Sequence, residues 1–597
     1  MNSMTDDGST YLLDMGRAGP AEAISNRLET GCWLSVPYTV EAGEGQMLFA
    51  TRQQAPPEIR LDLGVTGWHR IHIATFRHFQ FAETLLLLKL ASDPAFTRAA
   101  QEDFRRDKDL VAEEMIPGPM DLSEAYWKTV DLQPGEQLVL HRPMHGTMGN
   151  ALANIAYVRL MPVAEDELEI FERESSPRPD TPRLMANYDG GQHLQWAYGS
   201  RAEVADEFQA FANGDFKMVL WGVARSFQTF YPSKVADPIT SSPLLPGVFA
   251  AMWEAHERAR TADFDPLAAA VACAHDVGLE IYPQLRMAGE KLPPIHLDAA
   301  GPGSFQTDHP EFRCLTAEGK PTRHLSHAFP EVRERYVRLF REWVEDYDAD
   351  GVNILFNRSW PFALSEVPVV DSFREMYGEE MTDLDDTDVR VLRHRASFVT
   401  QTLRATRQML DDVGRAKGRT LGLCCLVSSE VHGGAPDAGP FSHPLYEGVD
   451  VEAWVREGLV DHLVVNIQRA GDAAGQDAAA TLKPYIELAR GTKTQVYADL
   501  YPRRQSGNSM RIRAKACYDA GVDGLCFWDC QKRSLRLSGW AMHRQLGHRD
   551  ELGQMKPYAE RLFRVVPLKC LDGFDALDPA CQPTDGYAAD VGHPCRS

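Results

Sequence analysis

Two rhythms of apolar and polar positions divide the chain. From Cys32 to Val163 the apolar positions come in short alternating runs: Trp68 to Ala74 (WHRIHIA), Thr84 to Leu90, Ala125 to Leu132, Gln137 to His141 and Ile155 to Leu160. Turn chemistry such as the Pro-Gly-Glu at Pro134 to Glu136 separates them. A period of two with Gly and Pro punctuation predicts an antiparallel β-sandwich over residues 32–163, preceded by a lead segment, 1–31. The stretch 164–182 (AEDELEIFERESSPRPDTP) is rich in acids, Ser and Pro and reads as a linker.

From Arg183 short apolar runs alternate with helical stretches, the cadence of a parallel sheet with crossover helices. The predicted strands are Arg183 to Tyr188, Lys217 to Ala224, Leu279 to Leu285, Gly351 to Phe356, Leu421 to Val427, Asp461 to Ile467, Thr494 to Leu500 and Gly524 to Trp528. The helices that follow them in turn are Ala202 to Ala212, Pro266 to Val277, Glu331 to Tyr347, Val389 to Val413, Val451 to Glu457, Ala478 to Ala489, Arg511 to Ala520 and Leu537 to Leu546. In the third of these Val332, Tyr336, Leu339, Phe340 and Trp343 recur at helical spacing. Eight strand–helix units predict an α/β fold, one closed (β/α)8 TIM barrel over 183–546, preceded by the antiparallel β-sandwich domain. The tail, 547–597, reads as a packed extension or small cap.

Composition narrows the class. The 597 residues are 44% hydrophobic and 25% charged, a core-forming make-up. Lys and Arg number 62 against 85 Asp and Glu, a formal charge of −23 that repels phosphate backbones and anionic lipid, so neither nucleic acid nor membrane is an expected partner. The chain shows neither a signal-peptide pattern nor an apolar run of membrane-spanning length, and its 11 cysteines lack CxxC or zinc-like spacing, so reduced, buried thiols and a cytoplasmic location are expected. No GxGxxG, P-loop or GxSxG follows a strand, and no cofactor is expected. His69, His72 and His78 put no triad on one face of their strand, so no metal site is read there.

Three stretches of the barrel carry a family resemblance. Phe264 to Met287 (FDPLAAAVACAHDVGLEIYPQLRM), the His-Pro-Glu at His309 to Glu311 and Pro330 to Ile354 (PEVRERYVRLFREWVEDYDADGVNI) occur in this order. They resemble the DPL…AHxxGLE, HPEW and PEVRxY…YDVDGI elements of the hypothetical family-ten-like glycoside hydrolases. The resemblance covers roughly Lys217 to Ser359. It implies a barrel that handles carbohydrate and an amino-terminal module similar to a carbohydrate-binding or galactose-binding-like domain. The chain departs from the family at strand four, where acids often follow the DGI run and GVNILFNRSWPF places Asn357 and Arg358 instead.

Barrel active sites lie at the carboxyl ends of the strands, which points to particular side chains. Strand one offers Asn187 and Asp189, strand two Arg225 and Tyr231, strand three Gln284 and Arg286, and strand four Asn357, Arg358 and Trp360. Strand five offers Glu430 and His432, strand six Asn466 and Gln468, strand seven Asp499 and Tyr501, and strand eight Trp528, Asp529 and Lys532. Amides and guanidiniums suit sugar hydroxyls, and aromatic planes suit the apolar sugar face. Glycoside hydrolysis needs two carboxyl groups, about 5 to 5.5 Å apart for retention and about 6.5 to 9.5 Å for inversion. The candidate pair is Glu430 with Asp499, with Asp529 and Asp189 in reserve.

Each candidate has a plainer role as well. An Asp after a barrel strand serves equally as a helix N-cap or as an arginine's partner, and Glu430 in EVHGGAPDAG as an exposed loop acid. Arg225, Arg286 and Arg358 at one mouth need anionic partners, either these carboxylates or an acidic substrate. Trp221 and Trp343 read as core, whereas Trp360 and Trp528 are stacking candidates. The leading expectation is an enzyme that hydrolyses or transfers a glycosidic bond of an oligosaccharide or glycoside, including acidic ones. Two alternatives stay open: a non-catalytic carbohydrate-binding protein on the same scaffold, and a metal-dependent barrel lyase, isomerase or hydrolase for which His432 beside Glu430 gives the foothold.

Overall fold

The computed structural model describes residues 3–4, 8–76, 85–100, 121–143, 152–190, 192–193, 198–238, 257–258, 261–287, 305–357, 360–429, 436–467, 476–500, 502, 505–528, 537–555, 562–572 and 574–575. Eight parallel strands close into a ring: Leu184–Tyr188, Phe216–Arg225, Glu280–Arg286, Gly351–Leu355, Gly422–Ser428, His462–Asn466, Gln495–Leu500 and Gly524–Trp528, barrel strands one to eight below. Closure is explicit, because strand one pairs with strand two on one side and strand eight on the other. All eight lie where the apolar runs predict them.

Local sequence explains several helix ends. Asp265 accepts from the Leu267 and Ala268 N–H groups, and Pro266, whose missing N–H costs nothing at a first turn, opens helix Pro266–Asp276. Asp388 starts the 29-residue helix Val389–Lys417, and Gly418, at φ 69°, ends it in the left-handed region that glycine tolerates. Helix Pro330–Glu345 buries Val332, Tyr336, Leu339, Phe340 and Trp343 against the strands, the face its periodicity marks.

At the amino ends of the strands one device repeats. Asp350 donates its N–H to the Ile281 carbonyl and accepts the Ile281 N–H on its carboxylate at 2.9 Å. Asp461 does the same to Leu423, and Asp523 to Val496, each with the carboxylate bond at 2.8 Å. An aspartate just before one strand thus brackets both backbone groups at the start of the preceding strand, satisfying an N–H the sheet leaves unpaired. Above this base the interior is filled by Met185, Met218, Tyr282, Cys424, Val464, Tyr497 and Cys526, among others. The Tyr282 ring lies against Gly351 and Gly422, where a Cβ would fall within 3 Å of it, and Tyr497 stands likewise against Gly524.

The rest of the described chain forms antiparallel sheets. One runs Ser3–Met4, Thr10–Leu12, Tyr157–Pro162, Gly67–Phe76, Asp121–Leu132, Phe563–Pro567. A second runs Ile59–Asp62, Gln137–His141, Leu85–Leu90, Thr97–Ala100, and a third contains Gly43–Ala50 and Trp33–Val40 with Cys570–Leu571 beside it. Leu12, Trp33, Leu48, Ile71, Leu88, Leu138 and Val158 share one core. Leu537, from the helix after strand eight, belongs to that core too. Two expectations change in detail. The stretch expected as a linker carries the helix Glu165–Ser175, and part of the tail returns as strand Phe563–Pro567, paired in register with Asp121 to Ala125.

Buried charges tie the sheets to the barrel. Arg98, on Thr97–Ala100, is ion-paired with Glu207 of the first barrel helix, and Glu207 also accepts from the Tyr198 and Tyr188 hydroxyls at 2.9 and 3.3 Å. His548 and Asp215 are fully buried; the imidazole bonds to the Asp215 carboxylate at 2.6 Å through Nδ1 and to the Ser176 carbonyl at 3.1 Å through Nε2. The eight cysteines among the described residues are free thiols, six of them buried. No helix among them is long and apolar enough to cross a membrane.

Two outcomes follow for stability. Asp461→Ala leaves the Leu423 N–H without its carboxylate partner and removes one of the two carboxylates that hold Arg407, so denaturant unfolding is expected to show a loss of about 1–3 kcal/mol with an unchanged m-value. Burial alone would push the His548 imidazole down, but the Asp215 hydrogen bond and charge outweigh it and hold its pKa above the ordinary value. The charged pair therefore stabilises the fold fully below about pH 6.5 and loses that contribution as pH rises through the raised folded-state value. The melting-temperature gap between the parent and His548→Gln is expected to narrow from pH 6 to pH 9.

Candidate active site

Towards the carboxyl ends of strands one, three, six and seven the inward positions turn from apolar to polar. Strand alternation sets this: inward Met185 is followed by Asn187, Tyr282 by Gln284 and Arg286, Val464 by Asn466, and Tyr497 by Asp499. Asn187, Gln284, Asn353 and Asp499 are all buried, none more than 1% exposed. The Asn466 amide donates to Asp499 Oδ2 at 2.6 Å, across the in-register pair Asn466 and Asp499 of strands six and seven. Asn353 donates to Gln284 Oε1, and Gln284 donates to the Tyr188 carbonyl at 3.2 Å. Neither amide atom of Asn187 meets a hydrogen-bond partner, nor does Asn353 Oδ1, among the described residues.

Orphaned buried amides are costly, about 1–3 kcal/mol for each unpaired group, so a cluster of them marks a place where bonding capacity is held for something else. Asn353 is the member that the end-of-strand reading missed. Its signal was present: GVNILF puts one polar residue at an inward position of an otherwise apolar strand.

The rim is charged. Arg225 and Arg286 are in-register neighbours on strands two and three. Arg286 donates to the Asp189 carboxylate, so of the two roles expected for Asp189 the structure shows the arginine's partner. The Arg225 guanidinium lies 5.7 Å from the centre of the Phe230 ring. Gly222 makes this arrangement possible. A Cβ there would sit 2.3 Å from both the Gly190 nitrogen and the Tyr188 carbonyl oxygen, so only glycine lets the chain after strand one cross strand two and carry Asp189 to Arg286. The crossing is fastened by Gln192 and His193, which both donate to the Gly222 carbonyl, at 3.0 and 3.1 Å. His193 stacks on Phe230 at 5.0 Å, and burial pushes its pKa down to about 3, so it is a neutral donor.

Other candidates lie further from this polar floor. Tyr231 is in the outer wall of the barrel, where its hydroxyl donates to Glu342 at 2.6 Å and accepts from Trp343 at 2.7 Å, a placement that removes it from the mouth. Trp528 is fully buried within the inner cluster, in register with Asn187, so its face is covered by protein side chains. Trp360 is 40% exposed and meets Tyr446 edge-on at 5.8 Å, and Asn357 is half-buried. Trp221 and Trp343 are core, as their sequence context suggests. Arg358, Glu430, His432, Gln468, Tyr501, Asp529 and Lys532 lie outside the described residues. Among those described, no three His, Cys, Asp or Glu side chains are placed to hold a metal ion.

No protein-family model and no curated protein matches the chain. Among solved structures it is similar to α-L-fucosidase isoenzyme 2 from Paenibacillus thiaminolyticus, at 11% identity and a TM-score of 0.38, over 64% of this chain and 50% of that one. It is similar to a β-galactosidase from the psychrophilic Marinomonas ef1, at 13% identity and a TM-score of 0.37, over 64% and 61%. It is also similar to a chitinase from Chromobacterium violaceum, at 12% identity and a TM-score of 0.33, over 61% and 99%. The chain spans half the length of the fucosidase and about three fifths of the galactosidase.

The Gly222 crossing is testable. Gly222→Ala is expected to lower stability by about 1–3 kcal/mol in denaturant unfolding, because the added methyl meets backbone on both sides and no flexible side chain can yield.

Proposed function

We propose that the carboxyl-terminal mouth of the barrel binds an oligosaccharide or glycoside and hydrolyses or transfers its glycosidic bond. The observation that carries this reading is the buried polar floor: the unpartnered amide of Asn187 and the open oxygen of Asn353, in a barrel whose strands six and seven hold Asp499 against Asn466. Amides both donate and accept, the chemistry that a ring of sugar hydroxyls requires. Asp499 is assigned to the reaction with Glu430 as its partner, Asp529 standing in reserve. One protonated carboxyl assists the departing oxygen while the other, ionised, attacks the anomeric carbon or activates water.

In this reading Gln284, Asn357, Arg358, His432, Asn466, Gln468 and Tyr501 hold hydroxyls, and Trp360, exposed at the rim, stacks on the sugar. Trp528 does so only if the inner cluster opens. Arg225, together with the Asp189–Arg286 pair, extends the range to acidic sugars. The antiparallel sheets serve as a carbohydrate-binding-like accessory module of sandwich type, and the motif resemblance to the family-ten-like glycoside hydrolases supports the same assignment. A second reading, binding without cleavage, is favoured by one observation: the Asp189 carboxylate is engaged by Arg286 and so is not available as a catalytic acid or base.

The test is a turnover screen of the purified protein against aryl glycosides and oligosaccharides, beside Asp499→Asn and Glu430→Gln. The parent is expected to release sugar, and each variant to lose roughly 10²–10⁴-fold in kcat while still unfolding cooperatively. A parent that is inert across the panel, yet whose melting temperature rises with added sugar, establishes the binding reading instead.

A further inference from the structure

A second cavity lies between one face of an antiparallel sheet and the helix Glu165–Ser175, and none of its described lining residues belongs to a barrel strand. Its volume is about 450 Å³, within the range of small-molecule sites. Met161 from the sheet, Ile170 and Phe171 from the helix, and Leu562 and Phe563 at the late strand form apolar walls. Alternation sets the sheet side: Ile71, Ile73, Val158 and Leu160 point into the shared core, which turns Arg70, His72, Arg159 and Met161 towards the helix. Packed protein leaves few gaps larger than a water molecule, so a helix that only had to cover this face would close down onto it. Here apolar side chains face open space instead. Ile170 is 45% exposed, and Trp68, two positions before Arg70 on the same sheet face, is 37% exposed.

The Arg and Glu side chains of the lining answer one another. Glu124, 1% exposed, accepts from Arg564 through Nε at 2.6 Å and Nη2 at 2.7 Å, from Arg159 at 3.2 Å and from the Tyr157 hydroxyl at 2.7 Å. Arg70 pairs with Glu167 at 3.3 Å, and Glu174 with Arg173 at 3.3 Å. Three arginines thus stand against three glutamates, each with a partner of opposite sign inside the protein. An ion entering the cavity would have to break one of these pairs or shed its water without a counter-charge, and both are costly. Carbon meets the walls at no such cost.

We propose that this cavity is a ligand site separate from the barrel mouth, taking an uncharged small molecule with an apolar body seated against Met161, Phe171 and Phe563. A neutral ligand leaves the ion pairs as they are and removes apolar surface of both partners from water. The site does not depend on the function of the mouth.

Calorimetric titration of the full chain at neutral pH with ligands that share one body tests it: 4-phenyl-1-butanol, 4-phenylbutyramide, 4-phenylbutyrate and 4-phenylbutylammonium. The alcohol and the amide are expected to bind at one site, at least about tenfold tighter than the acid and the ammonium. Ile170→Trp fills the cavity and Ile170→Glu puts an unpaired charge in its wall. Both change an exposed side chain, so both are expected to fold, and each is expected to weaken the alcohol at least about tenfold. An acid or ammonium that binds as tightly as the alcohol overturns the preference for an uncharged ligand. Alcohol binding that survives both Ile170 variants, or no saturable binding of the alcohol and the amide, overturns the site.

Discussion

The aspartate brackets at the base of the barrel fix everything above them. Asp350, Asp461 and Asp523 each grip both backbone groups at the start of the preceding strand, on Ile281, Leu423 and Val496. Parallel strands alternate inward and outward with a period of two, so a slip of one residue would exchange the inner set for the outer. With Ile281 bracketed, Tyr282 must face inward, then Gln284, then Arg286; with Val496 bracketed, Tyr497 and Asp499 follow. The polar floor of the mouth is thus set by hydrogen bonds at the opposite end of the same strands. Carboxylates at the two ends do different work, those at the base holding register and those at the mouth meeting whatever enters.

Tyrosine and glycine complete the base. Rings from Tyr282 and Tyr497 fill space that Gly351, Gly422 and Gly524 leave open, and the middle layer of Met185, Met218, Cys424 and Cys526 is apolar. Asn187 and Asn353, on the inner face of strands one and four, carry unmet hydrogen-bonding capacity among the described residues. A protein that only needed a filled barrel would lose no hydrogen bond by replacing Asn187 with Leu or Met, and would gain the free energy of the unpaired groups.

The barrel was legible because a parallel sheet buried on both faces writes its strands as continuous apolar runs such as DHLVVNI and GLCFW, each bounded by turn residues. The same property hid Asn353, since in such a run inward and outward positions look alike until a register is known. Asp189 was legible as a strand-closing acid, but its partner was not, because the contact depends on the chain crossing at Gly222, a close approach that no local pattern encodes. Helix Glu165–Ser175 was misleading for a different reason. Its large apolar residues are just Leu168, Ile170 and Phe171, and the surface it covers is itself charged, with Arg70 meeting Glu167. A helix docked by ion pairs onto a polar sheet reads, from composition, like solvated linker.

Strand Phe563–Pro567 stands beside Asp121–Leu132, and its Arg564 reaches a Glu124 some 440 residues earlier in the chain. Topologically the whole barrel is therefore a loop between neighbouring strands of one sheet. During synthesis the amino-terminal sheets emerge first, with an open edge at Asp121–Leu132 and a buried carboxylate, Glu124, lacking two of its donors. That edge waits for its partner while every barrel strand is made, and order in the sheet is completed by residues that leave the ribosome only after the last barrel strand.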